Sequence, residues 1–211
     1  FGKLEGVIVT KDIATSYMDV LDNCVLSKAR TQYKTIAETI DGEVYAGNEH
    51  AHFVRGKVVI ATSNPEYMAD YIEDDDLVIL GDREEAQMQA IRSNASCIII
   101  GGGLEVAEEV KKLAEKRDCV IITTPFDTFS VARLINQSMP IKQYMTRREL
   151  VTFDIDDYVD DVKDVMSRVR HRDFPVLGSN GNYVGMISRR NLMNMQKKQI
   201  ILVDHNEKSQ A

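Results

Sequence analysis

Three continuous apolar runs mark the middle of this chain and predict buried strands. The runs are Leu77–Leu80, Cys97–Ile100 and Cys119–Thr123. A strand buried on both faces is apolar at nearly every position, whereas a strand with one solvated face alternates. Segments of helical spacing separate the runs, so residues 23–139 predict an α/β domain with a mainly parallel, doubly wound sheet. Further strands are predicted at Val44–Gly47 and Lys57–Ala61.

Helical periodicity defines the segments between these strands. The clearest case places Val106, Val110 and Leu113 on one apolar face. Asp127 precedes the last helix and is a residue type that caps helix amino ends. The predicted helices are Tyr33–Ile40, Pro65–Tyr71, Glu84–Ser93, Glu105–Arg117 and Phe129–Gln137.

Residues 140–199 predict a second, smaller domain that begins at Pro140. A helix with apolar residues at helical spacing starts at Asp156 or Asp157, and a tight turn at Ser179–Asn182 joins two strands. In chain order, the other elements are a helical entry at Ile141–Met145, strands at Leu150–Phe153, Phe174–Leu177 and Tyr183–Ile187, and a helix at Asn191–Lys197.

The two ends of the chain predict pieces of further domains. Residues 1–22 predict a strand at Leu4–Val9 and a helix at Ile13–Leu21 that Thr10 or Asp12 caps. Residues 200–211 open with an apolar run that ends in Asp204-His205. Such a strand delivers polar side chains to the carboxyl edge of a parallel sheet, where α/β folds bind ligands and metals.

Charge and composition argue against several classes of function. The 211 residues carry a net charge of −7, whereas non-specific nucleic-acid binding needs a basic surface. No apolar run approaches the roughly 18 residues of a membrane-spanning helix. The three cysteines lack CxxC spacing, which favours buried thiols in a reducing compartment. We therefore expect a cytoplasmic protein that binds neither nucleic acid nor membrane.

Two motifs place a known domain at residues 140–199. His-Arg-Asp-Phe-Pro-Val at 171–176 and Gly-Met-Ile-Ser-Arg-Arg-Asn-Leu at 185–192 resemble the strands and helix start of a CBS domain. Gly-Val-Ile-Val-Thr-Lys-Asp-Ile at 6–13 resembles the same element of a first CBS domain. Between them, Gly81-Asp82-Arg83 and Gly101-Gly102-Gly103 at helix-opening turns resemble a DRTGG domain.

The order of these elements resembles the regulatory insert of family II inorganic pyrophosphatases, which are DHH phosphoesterases. The resemblance implies a CBS pair, its first member only partly present at 1–22, flanking a DRTGG domain at 23–139. The second CBS domain would occupy 140–199, and the catalytic domain would resume at 200–211. Only the full-length enzyme would hydrolyse pyrophosphate to phosphate with Mn²⁺ or Co²⁺, for which Asp204 would be a ligand. We expect no catalytic residue and no catalytic metal in this fragment.

The resemblance also implies regulation by adenine nucleotides. AMP and ADP would inhibit, and diadenosine polyphosphates would activate. In a CBS domain the Ser188 hydroxyl and the residue three positions on, here Asn191, would face ribose and phosphate. In the first repeat Asp12 would be the counterpart of Asn191, whereas Val9 occupies the position of Ser188 and Thr10 is displaced by one residue. The alternative for Ser188 is an ordinary helix N-cap.

A local excess of positive charge predicts where the phosphate would bind. Arg172 is the favoured contact because it lies just before Phe-Pro-Val, with only Asp173 between, and the planar guanidinium pairs well with phosphate. The alternative is an arginine that stabilises the carboxyl end of the preceding helix. The cluster comprises Arg168, Arg170, His171, Arg172, Arg189 and Arg190. The remaining candidate nucleotide-binding residues are Lys142, Thr146, Val151, Thr152, Phe174, Pro175 and Met186.

Two other motifs carry weaker hypotheses. Gly101–Gly103 resembles a phosphate-cradling loop but lacks GxGxxG spacing, and in DRTGG domains it would be structural. Glu49-His50-Ala51-His52 has His-x-His spacing but no evident third metal ligand.

The assembly follows from the CBS architecture. An isolated CBS module exposes an apolar sheet face, so we expect a homodimer whose facing CBS domains bury it. A different class of function is a ligand-sensing CBS/DRTGG segment of a transcriptional regulator. That alternative needs a basic helix-turn-helix, and the sequence shows none.

Overall fold

The computed structural model of the chain describes residues 2–16 and 22–192. They fall into two compact units: residues 8–145 form the larger, and those up to 7 together with those from 146 form the smaller. Among the described residues, no helix combines the length and apolar character that crossing a membrane requires.

The larger unit is built on a five-stranded sheet. The described strands of the larger unit, two of which lie outside this sheet, are β1 (Thr31–Gln32), β2 (Glu43–Ala46), β3 (His52–Phe53), β4 (Val58–Ile60), β5 (Leu77–Leu80), β6 (Cys97–Ile100) and β7 (Val120–Thr123). The sheet order is β2-β7-β6-β5-β4, with β4 to β7 parallel and β2 antiparallel to β7. A separate antiparallel pair joins β1 to β3. The mostly parallel sheet confirms the predicted fold class.

Helices cover both faces of this sheet. The helices of the larger unit are α1 (Thr10–Ser16), α2 (Val25–Lys28), α3 (Tyr33–Thr39), α4 (Pro65–Met68), α5 (Glu84–Arg92), α6 (Glu108–Lys116) and α7 (Thr128–Leu134), of which α2 to α7 supply core residues on the sheet. Short 3-10 helices follow at Ile135–Ser138 and Ile141–Gln143. Within β5, Val78 and Leu80 pack with α4, α5 and α6, whereas Leu77 and Ile79 pack with α2, α3 and α7. Each strand is therefore apolar on both sides because each side has its own helical layer.

The loop after β6 is held by backbone hydrogen bonds to the loop after β7. The Gly102 N–H donates to the Phe126 carbonyl and the Gly103 N–H to the Thr124 carbonyl, both at 2.9 Å. Gly102 and Gly103 have φ values of 96° and 67°, which glycine adopts at little cost. This loop delays the next helix, so α6 starts at Glu108 and not at the predicted Glu105.

Two cysteines are core residues, as their positions in apolar runs suggested. Cys97 is fully buried and Cys119 is 1% exposed. Burial raises the pKa of Cys119 to about 12 and the pKa of Cys97 well above its ordinary value, because desolvation disfavours the thiolate. Both thiols therefore act as small apolar side chains.

The smaller unit is a three-stranded sheet, one face of which packs against helical segments. Its elements are β8 (Phe153–Asp154), α8 (Val159–Arg168), β9 (Asp173–Leu177) and β10 (Tyr183–Ser188), after which residues 189–192 are helical. The sheet order is β10-β9-β8, with β9 antiparallel to β10 and parallel to β8. The core consists of Phe153, Val162, Met166, Phe174 and Leu192.

Two helices start elsewhere than predicted because nearby carboxylates bind backbone N–H groups. Asp157 accepts a hydrogen bond from the Asp154 N–H at 2.8 Å, and α8 begins two residues later, at Val159. Asp12 accepts one from the Val9 N–H at 2.9 Å, so α1 begins at Thr10. Asp12 thus lies inside the first turn and caps it from there.

The predicted strand at Leu4–Val9 is wrong; the segment makes single bridges instead. Lys3 pairs with Asn182, and Val7 pairs with Thr146 through two backbone hydrogen bonds of 2.8 and 2.9 Å. Because its partners lie in two different segments, no continuous ladder forms.

The Gly101 position provides a test of this packing. A Cβ at Gly101 would lie 2.7 Å from the Phe126 carbonyl oxygen, whereas a Cβ at Gly81, after β5, meets nothing within 4 Å. We expect Gly101→Ala to lower the free energy of unfolding by about 2 kcal/mol and Gly81→Ala to change it by less than about 0.5 kcal/mol. Urea unfolding measures both, and equal losses would contradict the assigned role of the loop.

Candidate nucleotide-binding site

The open face of the smaller sheet brings several candidate residues together. Met186 lies directly opposite Pro175 in the β9–β10 pairing, and Ser188 follows two residues later, on the same face. The intervening Ile187 pairs with Phe174 on the other face, which packs on α8. Met186 is 49% exposed and Val184 is 40% exposed. The exposed apolar surface beside the polar helix start therefore consists of Val184 and Met186, whereas Pro175 is buried.

Ser188 and Asn191 form a local hydrogen-bonded pair at that helix start. The Ser188 hydroxyl contacts the Asn191 side-chain oxygen, and it accepts from the Asn191 N–H at 3.3 Å. This is N-cap geometry, which was the alternative interpretation of Ser188. A hydroxyl can cap a helix and still carry further hydrogen bonds, since it has two lone pairs and one proton.

Arg189 is engaged by backbone carbonyl groups. Its Nε donates to the His171 carbonyl at 2.7 Å, and its Nη2 contacts the carbonyl oxygens of Met166 and Val169. These two carbonyls lie at the carboxyl end of α8. Within the basic cluster, Arg189 thus takes the helix-end role that was the alternative to phosphate binding.

The carbonyl-binding role of Arg189 had a faint signal in the sequence. Helices commonly end with a glycine in the left-handed conformation, whose neighbouring N–H groups satisfy the last carbonyls. After α8 the chain instead continues through Val169 in extended conformation. A helix end without glycine needs another donor, and the nearby arginines were the available ones.

The other cationic residues of the cluster face solvent. The side chains of Arg168, Arg170, His171, Arg172 and Arg190 are exposed. The Arg189 N–H donates to the Arg172 carbonyl at 3.0 Å, which fixes the Arg172 backbone beside the start of the last helix. Arg172 and Ser188 therefore lie at the same end of the β9–β10 pair, where Asp173 is directly opposite Ser188.

Two candidates belong to the core side of the sheet. Phe174 is fully buried, with its ring centroid 5.3 Å from that of Phe153. Val151 packs against the same core. Their side chains serve the core, so only their backbone groups can meet a ligand. Thr146 is exposed beside Val7, and Thr152 is half-buried before β8.

Three candidates belong to the larger unit. Thr10 and Asp12 lie in α1, and exposed Lys142 lies in the 3-10 helix at Ile141–Gln143. Asp12 caps α1 through the Val9 N–H. The part of these three residues in nucleotide binding stays a prediction.

The glycine loop of the larger unit is a structural turn. Its Gly102 and Gly103 N–H groups are bound to carbonyls and do not point at a phosphate. A cleft of about 580 Å³ adjoins it, lined by Asp41, Glu43 and Glu105 among others, and these carboxylates would repel an anion. This cleft is not lined by the candidate nucleotide-binding residues of the smaller unit.

The sequence offers two possible sets of metal ligands, one at His50 and His52 and one that includes Asp204. In the described part of the chain, no three His, Cys, Asp or Glu side chains are grouped to hold a metal ion. His50 lies 3.2 Å from Glu49, and His52 is exposed on β3. Asp204 lies outside the described residues.

Family comparisons identify two domains. The sequence matches the DRTGG domain over residues 35–138 and the CBS domain over residues 141–198. It is 39% identical over 208 residues to a cobalt-dependent inorganic pyrophosphatase of Clostridium perfringens. It is 30% identical over 209 residues to a probable manganese-dependent inorganic pyrophosphatase of Thermotoga maritima. Each alignment covers 99% of this chain and 38% of the relative, so the chain spans well under half of their length.

A solved structure matches the fold as a whole. It is the CBS and DRTGG domains of the regulatory region of Clostridium perfringens pyrophosphatase, complexed with the activator diadenosine tetraphosphate. The match has a TM-score of 0.82 at 38% identity and covers 89% of this chain and 82% of that one. The chain therefore belongs to the family of CBS–DRTGG regulatory regions of inorganic pyrophosphatases.

Proposed function

We propose that this chain is the adenine-nucleotide-sensing regulatory region of an inorganic pyrophosphatase. The observation that carries the proposal is the match to a regulatory region crystallised with a diadenosine tetraphosphate activator. The open face of the smaller unit supports it, because an apolar surface that ends at hydroxyl, amide and guanidinium groups suits an adenosine phosphate. The transcriptional-regulator alternative is not favoured, since the longest-matching relatives are pyrophosphatases.

The residues divide by the part of the nucleotide that each would contact. Met186 offers exposed apolar surface for adenine opposite the buried Pro175, with the backbone around Val151 and Phe174 available to the base edge. Ser188 and Asn191 would bind ribose and phosphate, and Arg172 would bind phosphate. Thr146 and Thr152 of the smaller unit would add further contacts, whereas the roles of Lys142, Thr10 and Asp12 stay predictions from the sequence.

The same proposal covers the domain organisation of the chain and the activity of the full-length protein. The fragment supplies the end of one CBS domain (1–22), the DRTGG domain (23–139), the second CBS domain (140–199) and the start of the resumed catalytic domain (200–211). The full-length enzyme would hydrolyse pyrophosphate in the cytoplasm with Mn²⁺ or Co²⁺, with Asp204 among the metal ligands. AMP and ADP would inhibit it, and diadenosine polyphosphates would activate it.

Binding of AMP to the chain tests the site. We expect calorimetry to show a dissociation constant between micromolar and millimolar. Arg172→Ala should weaken binding by about tenfold or more, because it removes a charge-assisted hydrogen bond. Arg133→Ala, which removes an exposed arginine of α7, is the control and should bind as the wild type does. Unchanged affinity in Arg172→Ala would refute the assignment.

The full-length protein tests the regulated reaction. We expect it to hydrolyse pyrophosphate, with the rate lowered by AMP and raised by diadenosine tetraphosphate. In Arg172→Ala combined with Ser188→Ala, the ratio of rates with and without each nucleotide should move toward one. Phosphate release, measured across a series of nucleotide concentrations, reports this ratio. An enzyme that hydrolyses pyrophosphate at a rate indifferent to both nucleotides would contradict the proposal.

A homodimer of facing CBS domains is part of the same proposal and is tested at Val184, which is 40% exposed and is not a candidate nucleotide contact. Val184→Asp would place an unpaired carboxylate in the proposed buried contact, which costs about 2 kcal/mol or more. We expect light scattering to show a dimer for the wild type and a shift toward monomer for Val184→Asp. Tyr67→Asp, on a residue of α4 that is 60% exposed, is the matched control. A dimer that persists unchanged in Val184→Asp would contradict this contact.

A further inference from the structure

The side chain of Arg189 ties together two segments that flank the candidate phosphate contact. One is the carboxyl end of α8, where the Met166 and Val169 carbonyls contact the guanidinium. The other is the residue before Arg172, since the His171 carbonyl accepts from Nε at 2.7 Å. The guanidinium therefore spans both ends of the short segment 169–171 that leads from α8 into β9.

The main chain of Arg189 adds a fourth link. Its N–H donates to the Arg172 carbonyl at 3.0 Å. Arg189 also follows Ser188, whose hydroxyl caps the last helix through Asn191. Arg189 is therefore hydrogen-bonded to the backbone of Arg172 and covalently linked to Ser188.

Only a guanidinium fits this set of acceptors. Its donors are fixed in a planar fork, so they can reach several carbonyls at once while the side chain stays half-buried. A lysine ammonium keeps the charge but is a single point on a flexible stem, and it cannot reproduce the fork. A change of Arg189 to lysine therefore keeps the positive charge and removes the planar arrangement of donors.

We infer that Arg189 is a positioning residue that sets the Arg172 guanidinium for phosphate recognition without touching the nucleotide. The inference rests on the proposed function. Its physical basis is that the segment 169–171 starts with an extended Val169, contains no glycine and is held at both ends by the fork of Arg189, which therefore determines where Arg172 emerges. A shift of the α8 end would move Arg172, and phosphate bound to Arg172 would in turn hold the end of α8.

The test compares Arg189→Lys with the wild type for two ligands, AMP and adenosine, by calorimetry. We expect Arg189→Lys to weaken AMP by about tenfold and adenosine by less than about twofold. The positive charge is conserved, so the loss would come from geometry. Arg133→Lys makes the same change on an exposed arginine of α7, outside the basic cluster, and should leave both affinities within about twofold of the wild type.

A double-mutant cycle identifies the route of the effect. In an Arg172→Ala background, Arg189→Lys should cause no further loss of AMP affinity, because the group it positions is gone. Additive losses would mean that Arg189 contacts the phosphate itself and would overturn the inference. Equal losses for AMP and adenosine would also overturn it, since they indicate a general loss of structure.

Two further readouts keep the outcomes distinct. Val162→Ala, in the core of the smaller unit, should lower stability while leaving the ratio of AMP to adenosine affinity unchanged. If Arg189→Lys behaves as Val162→Ala does, the role is structural and the inference is wrong. A wild-type chain that binds neither ligand would instead overturn the proposed function, and with it this inference.

Discussion

Strands that are apolar on both faces constrain everything else in the larger unit. Leu77 and Ile79 face one helical layer while Val78 and Leu80 face the other, so neither side of the sheet can be left to solvent. Two layers of helices must therefore flank the sheet, and each connecting loop must cross its edge in few residues. The loops after β6 and β7 meet this requirement by bonding their N–H and carbonyl groups to each other. That solution uses the backbone donors which a phosphate would otherwise find there.

Satisfied backbone groups distinguish the glycine loop of the larger unit from the proposed nucleotide site in the smaller unit. In the DRTGG unit, the N–H groups of Gly102 and Gly103 already donate to the carbonyls of Phe126 and Thr124. The adjoining cleft is lined in part by carboxylates. The smaller unit has the opposite character, because exposed arginines and a serine-capped helix start lie beside an uncovered apolar face. The electrostatic contrast matters more than cavity size here. An anion binds where donors remain free, and the cleft of about 580 Å³ offers carboxylates instead.

The parts of this structure that the sequence predicts well are those that local periodicity controls. The runs at Leu77–Leu80 and Cys97–Ile100 are strands with those bounds, and Asp127 caps α7 by accepting from the N–H groups of Phe129 and Ser130. Helix starts were less predictable, because Asp12 and Asp157 bind backbone N–H groups that no period reveals.

Side-chain roles at the site were harder still to predict. Phe174 and Pro175 are adjacent in the motif but lie on opposite faces of β9, and only the pairing register with β10 separates them. Arg189 and Arg190 are adjacent and chemically identical. One is held by three carbonyls and the other faces solvent, a difference that depends on where α8 ends. The sequence can locate such a basic cluster, but the positions of the backbone carbonyls decide which arginine is bound and which stays exposed.

The open face also constrains how the proposed opposite responses to AMP and to a dinucleotide would arise from one site. A ligand shifts an equilibrium only through unequal affinity for the two states. Under the proposed function, AMP would bring a separate phosphate to each of two facing CBS surfaces, and these charges repel at close approach. A diadenosine polyphosphate carries its phosphates in one covalent chain, so a single ligand would link both surfaces and favour a different spacing between them. Arg172, fixed to the end of α8 through Arg189, is placed to convert that spacing into a movement of the helix.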